Sequence, residues 1–134
     1  MQITRTTRIG LLTLLLLALA LSTAAAPNIW VKLGQRTVSD RVDHDVIKVG
    51  AGKGRFSDLQ LRATDSKVRV RNVVVVFGDG SRQEFKKNFT LHRGERTGAI
   101  NLDGGRRVVR EVRFVYDESS ILRRTAEVHL WGRR

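Results

Sequence analysis

Residues 68–81, Val-Arg-Val-Arg-Asn-Val-Val-Val-Val-Phe-Gly-Asp-Gly-Ser, decide the fold of this chain. At the start of the segment two valines alternate with two arginines, as in a strand with one buried and one exposed face. Residues 73–77 are then continuously apolar, which suits a central strand covered on both faces or a strand that bends between sheets. Asp79-Gly80 follows and is a strong hairpin signal. The segment therefore predicts a long strand, a tight turn and a returning strand.

The same alternation recurs along the chain from residue 27 onward, with β-branched and aromatic residues separated by Gly, Asp, Asn and Ser. No stretch after this point has a helical period. The pattern predicts further strands at residues 29–38, 46–49, 56–63, 82–91, 99–102, 107–116 and 125–131. About eight short strands with turn signals every ~8–12 residues predict an all-β chain that forms a single antiparallel β-sandwich.

The start of the chain differs from the rest. Two arginines precede a leucine-rich run at residues 9–21, and a tract of small residues follows at 22–26. These are the three parts of a secretory signal peptide, and the apolar run is shorter than the ~20 residues of a spanning helix. We therefore expect a signal helix in residues 1–25, a β-sandwich domain at 27–134, and a periplasmic or secreted mature protein without a transmembrane span. The alternative is a segment retained as a membrane anchor.

The composition excludes several chemistries. The chain has 134 residues, no cysteine and a formal net charge of +12 at pH 7. Without cysteine there is no disulfide framework, no thiolate metal site, no cysteine nucleophile and no lipid-anchored cysteine. Loss of the signal segment leaves a net charge of about +10, which favours polyanions as partners.

Several short motifs together resemble those of a known family. They are Trp30 to Gly34, Asp43 to Val49, Gly54 to Phe56 with Leu59 and Leu61, Val75 to Gly80, Ile100 to Gly104, Val112 to Tyr116, and Trp131 with Gly132. The chain is similar in these motifs to a domain-of-unknown-function family of short, secreted bacterial β-sandwich proteins. The resemblance covers nearly all of the mature chain and implies the same fold and export. It implies no activity and no site residues, because the family has no assigned chemistry.

Candidate metal and catalytic residues are few. Asp43 and Asp45, with His44 between them, are suited either to binding Ca²⁺ through carboxylate oxygens or to forming turns between two strands. The chain has no Gly-x-Ser-x-Gly elbow, no His-Glu-x-x-His motif and no phosphate-binding glycine loop. We therefore expect no enzyme activity, no cofactor and no metal. A hydrolase that uses Asp43, Asp45 and a histidine is the alternative.

The basic surplus is the main functional signal. Arginines on outward positions of two predicted strands form a candidate binding face: Arg69, Arg71, Arg107, Arg110 and Arg113. Such a face attracts polyanions, whose bound counterions are released on contact. Aromatic residues are 6% of the chain and fall mostly on predicted core faces, so we do not expect nucleic acid as the ligand. The alternative is a solvated face that keeps strand edges soluble.

These patterns predict an exported, non-catalytic binding or structural module of the bacterial envelope. Its expected partner is an anionic envelope polymer, bound through the arginine-rich face, or another envelope protein that pairs with a sheet edge. Salt separates the two hypotheses, because polyanion binding weakens steeply with ionic strength and edge pairing does not.

The predicted terminal strands carry the two tryptophans, Trp30 and Trp131. Because an unpaired terminal strand promotes aggregation, we expect these strands to share a sheet or to face each other across the core. The apolar set Ala126, Val128 and Leu130 places Trp131 outward, so Trp30 is expected to be the buried ring. An exposed tryptophan platform that stacks on sugar rings is the alternative.

The signal peptide predicts where the mature chain begins. Cleavage needs small residues before the cut, and Pro27 directly after a cut would obstruct an extended substrate. We expect the mature chain to start at Ala25 or Ala26. Intact-mass analysis of periplasmic material measures this start, and recovery of only the full-length chain in membranes would contradict it.

Overall fold

The computed structural model describes residues 29–39, 44–85, 88–117 and 125–134, so the predicted signal helix lies outside the described residues. This part of the chain is all-β apart from a short 3-10 turn, and none of its helices has the length and apolar character needed to cross a membrane. The ten strands are β1 (Trp30–Val38), β2 (His44–Lys48), β3 (Arg55–Phe56), β4 (Asp58–Thr64), β5 (Val68–Phe77), β6 (Arg82–Phe85), β7 (Phe89–Leu91), β8 (Ile100–Asn101), β9 (Arg107–Tyr116) and β10 (Ala126–Arg133).

The strands form two antiparallel sheets, as the sequence predicts for a β-sandwich. Sheet A has the order β1-β10-β4-β8. Sheet B has the order β2-β9-β5-β6, with β3 paired to β9 and β7 paired to β5. Buried side chains from both sheets form one apolar cluster between them. The strands outnumber the predicted ones because the returning strand is divided into β6 and β7 and because β3 forms a separate pairing.

Strand β5 is central in sheet B. It pairs with β9 along one edge and with β6 and β7 along the other. Val75 is fully buried in the core, whereas Arg69 is exposed. Val76 lies outside the core cluster, yet only 4% of it is exposed. Its cross-strand partners are Arg82 and Glu111, whose long side chains flank it, so the apolar run is covered on both faces of the sheet.

The chain passes from one sheet to the other within a few residues. Strand β3 pairs with β9 of sheet B, Ser57 follows, and β4 pairs with β10 in sheet A. Phe56 is fully buried at this crossing, against the bare backbone of Gly132. A Cβ atom on Gly132 would lie 2.7 Å from the Phe56 ring and 2.8 Å from Leu33. Glycine therefore allows β10 to approach the core closely at this point.

The terminal strands β1 and β10 pair with each other, which confirms that they share a sheet. Trp30 is the cross-strand partner of Arg133, and Lys32 is the partner of Trp131. The prediction that Trp30 is the buried ring is wrong, because both tryptophans are half-buried on the outer face of sheet A. The even-numbered positions of β10 face the core, so Arg133 faces outward and Trp30 shares its side of the sheet.

Gly132→Ala is expected to destabilise the fold, because the added methyl group overlaps the Phe56 ring. Overpacking of this kind costs about 1–3 kcal/mol of unfolding free energy. Gly98→Ala is the matched control, since a Cβ atom there meets nothing within 4 Å. The control should change the unfolding free energy by less than about 0.5 kcal/mol. Urea denaturation followed by circular dichroism measures both, and equal stability of the two variants would contradict this packing.

Candidate functional site

The five predicted binding arginines all lie on strands of sheet B, but they do not form one patch. Arg69 and Arg71 are near the start of β5, and Arg113 is near the middle of its partner strand β9. Arg107 and Arg110 are in the first half of β9, beside the far end of β5. A strand of ten residues spans about 30 Å, so these arginines are spread along the length of the sheet.

Acidic side chains pair with several of these arginines. Arg71 Nη2 lies 3.1 Å from Asp117 Oδ2, and Arg113 Nη2 lies 2.6 Å from Glu111 Oε1. The side chain of Arg110 is exposed and forms no ion pair within the described part of the chain. The face on sheet B is therefore less cationic than its arginines alone indicate, and its role in binding stays a prediction.

Arg107 holds two turns together at one end of the sandwich. Its guanidinium lies 3.8 Å from the centroid of the buried Phe77 ring and donates hydrogen bonds to Asp79 and to Ser81 Oγ. It also donates to the backbone carbonyl of Asp103. The hydrogen bonds from Ser81, with a smaller contribution from the charge of Arg107, lower the pKa of Asp79 below its usual value. Arg107 thereby ties the turn after β5 to the turn before β9.

The acidic candidates have a structural partner. Asp43 lies outside the described residues. Asp45, on β2, accepts a hydrogen bond of 2.7 Å from Arg36 Nε on β1, so this ion pair joins an edge of sheet A to an edge of sheet B. In the parts of the chain that the structure describes, no three His, Asp or Glu side chains are placed to hold a metal ion.

The outer face of sheet A carries a cluster of polar and aromatic side chains, which we call the Trp131 face. Trp131 on β10 lies between Lys32 on β1 and Gln60 on β4. In the next row His129 lies between Gln35 and Arg62, and Arg96 lies beside Arg62 on its other side. The Trp131 face consists of Lys32, Gln35, Gln60, Arg62, Arg96, Glu127, His129 and Trp131. Its one carboxylate, Glu127, lies 3.1 Å from His129 Nε2 and accepts a hydrogen bond of 3.4 Å from Gln35 Nε2.

Two positive charges lie side by side on this face. Arg62 and Arg96 are partners in an isolated antiparallel bridge, and both are exposed. Backbone hydrogen bonds between the residues on both sides leave the bridge itself in a non-hydrogen-bonded position. At such positions opposite Cβ atoms are about 4.5–5.5 Å apart, and like charges are destabilising. Neither guanidinium forms an ion pair with any carboxylate of the described residues.

The two tryptophans have different surroundings. The guanidinium of Arg133 lies 5.3 Å from the centroid of the Trp30 ring. Asp58, which is 2% exposed, holds Arg133 in place by accepting hydrogen bonds of 2.9 and 2.7 Å at Oδ2. No cationic or aromatic group among the described residues lies over the Trp131 ring. Trp30 is thus part of a fixed cluster, whereas Trp131 is also half-buried but forms no such contact with a cation of the described residues.

A groove opens between the two sheets beside β6, β7 and β8. Its volume is about 570 Å³, and its lining includes three half-buried apolar side chains, Phe85, Phe89 and Ile100. Strands β6 and β8 are at the edges of their sheets, and the Gln83 side chain of β6 donates a hydrogen bond of 3.0 Å to the Asn101 carbonyl of β8. The groove is therefore the place where the described surface best suits a protein partner.

The fold and its surface define a small all-β protein of two antiparallel sheets, with a cationic, tryptophan-bearing outer face on one of them. A family model described as a domain of unknown function, DUF2541, matches residues 10–132, and the chain belongs to this family. The match confirms that the sequence motifs indicate a domain-of-unknown-function family. No curated protein and no solved structure matches the chain.

The sequence pattern predicts the direction of several side chains of the Trp131 face but not that they lie together. Alternation places Arg62, His129 and Trp131 on outward positions, and the structure confirms this. Arg96 is one of many arginines in turns, and the bridge that brings it to Arg62 joins segments distant in sequence. A local pattern contains no signal for such a bridge.

Arg96→Gln is expected to stabilise the fold slightly, because it removes a like charge opposite Arg62. The gain should be about 0.2–1 kcal/mol at low salt and smaller at high salt, where the repulsion is screened. Arg113→Gln removes the same charge together with the Glu111 ion pair and should cost up to about 1 kcal/mol. Thermal melts at low and high salt measure both changes. A loss of stability in Arg96→Gln would contradict a repulsion between Arg62 and Arg96.

Proposed function

We propose that this chain is an exported, non-catalytic module that binds an anionic polymer of the bacterial envelope. The observation that carries the proposal is the Arg62–Arg96 pair on the outer face of sheet A. Two exposed guanidiniums that face each other without a carboxylate cost folding free energy. An anion bound between them offsets this cost, because arginine donates paired hydrogen bonds to carboxylate, sulfate and phosphate oxygens.

The surroundings of the pair favour the same class of ligand. Lys32 is exposed on the Trp131 face and adds a third positive charge. His129, the cross-strand neighbour of Arg62, is in contrast already paired with Glu127 at 3.1 Å. The formal net charge of +12 attracts a polyanion from a distance and gains further from counterion release. A sheet face is open along its length, which suits an extended polymer better than a small molecule that needs a concave pocket.

The arginines of sheet B have a supporting part in this proposal. Arg71 and Arg113 donate to carboxylates, and Arg69 and Arg110 lie at different ends of the sheet. Charges that are this far apart raise the positive potential of the whole molecule without forming one contact site. We therefore expect these arginines to speed association, while the Arg62–Arg96 pair determines the affinity.

A second candidate function is assembly with another envelope protein through a sheet edge. The groove that contains Phe85, Phe89 and Ile100 favours this function, because it combines apolar side chains with edge strands. A strand added there would be held by backbone hydrogen bonds and apolar contacts, neither of which weakens steeply with salt.

Polyanion binding is expected to depend on the arginine pair. The mature protein should bind dextran sulfate, with the logarithm of its affinity falling linearly with the logarithm of salt concentration, and should not bind neutral dextran. The double variant Arg62→Gln/Arg96→Gln should weaken dextran sulfate binding by about tenfold or more, since each charged hydrogen-bonded pair contributes more than about 1.4 kcal/mol. Isothermal titration calorimetry at several salt concentrations measures these affinities.

The matched control is Arg82→Gln/Arg106→Gln, which removes the same two charges from exposed positions outside the Trp131 face. This control should weaken binding by less than about threefold. An equal loss in both double variants would contradict a localised site. Partner binding that is insensitive to salt would contradict the polyanion proposal and support the sheet-edge function.

A further inference from the structure

We infer that the anionic polymer is a polysaccharide with carboxylated sugars, and that Trp131 holds one sugar ring beside the Arg62–Arg96 pair. The inference rests on the proposed function and names the ligand class of the same site. It is carried by the placement of an uncovered indole next to an unpaired cation pair on one sheet face.

Trp131 and Arg62 are diagonal neighbours on adjacent strands. Trp131 is opposite Gln60, and Arg62, two residues further along β4, is opposite His129. Diagonal positions on one face of a sheet are about 7–8 Å apart, which is within reach of aromatic and long side chains. A sugar ring that stacks on the indole therefore has its carboxylate close to the guanidiniums of Arg62 and Arg96.

The indole of Trp131 is suited to a sugar ring. Trp131 is half-buried, so its position on the sheet is fixed, and no aromatic or cationic group of the described residues covers it. The face of an indole carries negative charge density, which attracts the C–H groups on the apolar face of a pyranose. Trp30 cannot act in the same way, because Arg133 lies over its ring.

The amide side chains of the face are suited to sugar hydroxyls. Gln60 Nε2 donates a hydrogen bond of 2.8 Å to the Thr97 carbonyl, which fixes the amide and directs Oε1 away from that contact as an acceptor. Lys32 Nζ donates to Gln35 Oε1 on the other side of Trp131. A phosphate polymer has no apolar ring face to stack on the indole, so the indole beside the cations favours the polysaccharide.

The test compares two polyanions, polygalacturonate and polyphosphate, with fully methyl-esterified polygalacturonate as the neutral control. Trp131→Ala should weaken polygalacturonate binding by about tenfold or more and change polyphosphate binding by less than about twofold. Trp131→Phe keeps an aromatic ring and should lose less affinity than Trp131→Ala. Trp30→Phe should bind both polymers as the unsubstituted protein does, and it leaves Trp131 as the single tryptophan, which is excited selectively at long wavelength.

In the Trp30→Phe variant, polygalacturonate should shift the emission of Trp131 to shorter wavelength and protect it from acrylamide quenching. Retained polyphosphate binding by Trp131→Ala shows that this variant is folded. If Trp131→Ala does not fold, the affinities of Trp131→Phe for the two polymers are compared instead. If both polymers bind and neither Trp131 variant discriminates between them, or if only polyphosphate binds, the inference is overturned and the proposed function stands. If neither polymer binds in a salt-dependent manner, the proposed function itself fails.

Discussion

The contact between the Phe56 ring and the backbone of Gly132 sets how the two sheets meet. Phe56 is buried where the chain crosses between the sheets, and a side chain at position 132 would displace it. Strand β10 lies between β1 and β4, so its approach to the core positions both of its neighbours in sheet A. Because residue 132 faces inward, Trp131 and Arg133 must face outward. The geometry of the Trp131 face therefore depends on this one contact in the core.

The arginines of the chain divide into two groups by their surroundings. Arg133 is paired with the buried carboxylate of Asp58, and removal of either member would leave a desolvated group without its partner. Arg36 links the edges of the two sheets through Asp45. Arg62 and Arg96 have no carboxylate partner among the described residues and weaken the fold by their repulsion. The first group maintains the structure, and the second group is the part of the charge surplus that the proposed ligand would neutralise.

Local pattern was sufficient for the strands and for the direction of most side chains. The alternation at the start of β5 and the apolar run after it correctly placed Arg69 outside and Val75 inside, because the side chains of a strand alternate between its two faces. Burial of Trp30 was predicted wrongly because it was inferred by elimination from Trp131. Val31 and Leu33 pack toward the core, so alternation places Trp30 outward. The register shift between Lys32 and Gly34, in contrast, depends on packing between distant segments and not on local composition.

The same nonlocal dependence hid the Trp131 face. Arg113 and its partner Glu111 lie two residues apart on one strand, so alternation alone places them together, whereas Arg71 meets Asp117 only when β5 pairs with β9. Arg62 was visible as an outward residue, whereas its partner Arg96 follows a short strand and reaches it through a single bridge. The spacing of residues in the sequence does not predict a contact of this kind.

The order of strands in sheet A has a consequence for the folding of the chain during synthesis. Strand β10 is the last strand of the described residues, and it is the only one that joins β1 to β4 within those residues. While the chain emerges from the ribosome, β1 and β4 therefore have no shared partner among the described strands until β10 has been made. Closing a sheet through contacts so distant in sequence is slow. Completion of sheet A is thus a late event, which follows the synthesis of nearly all of the chain.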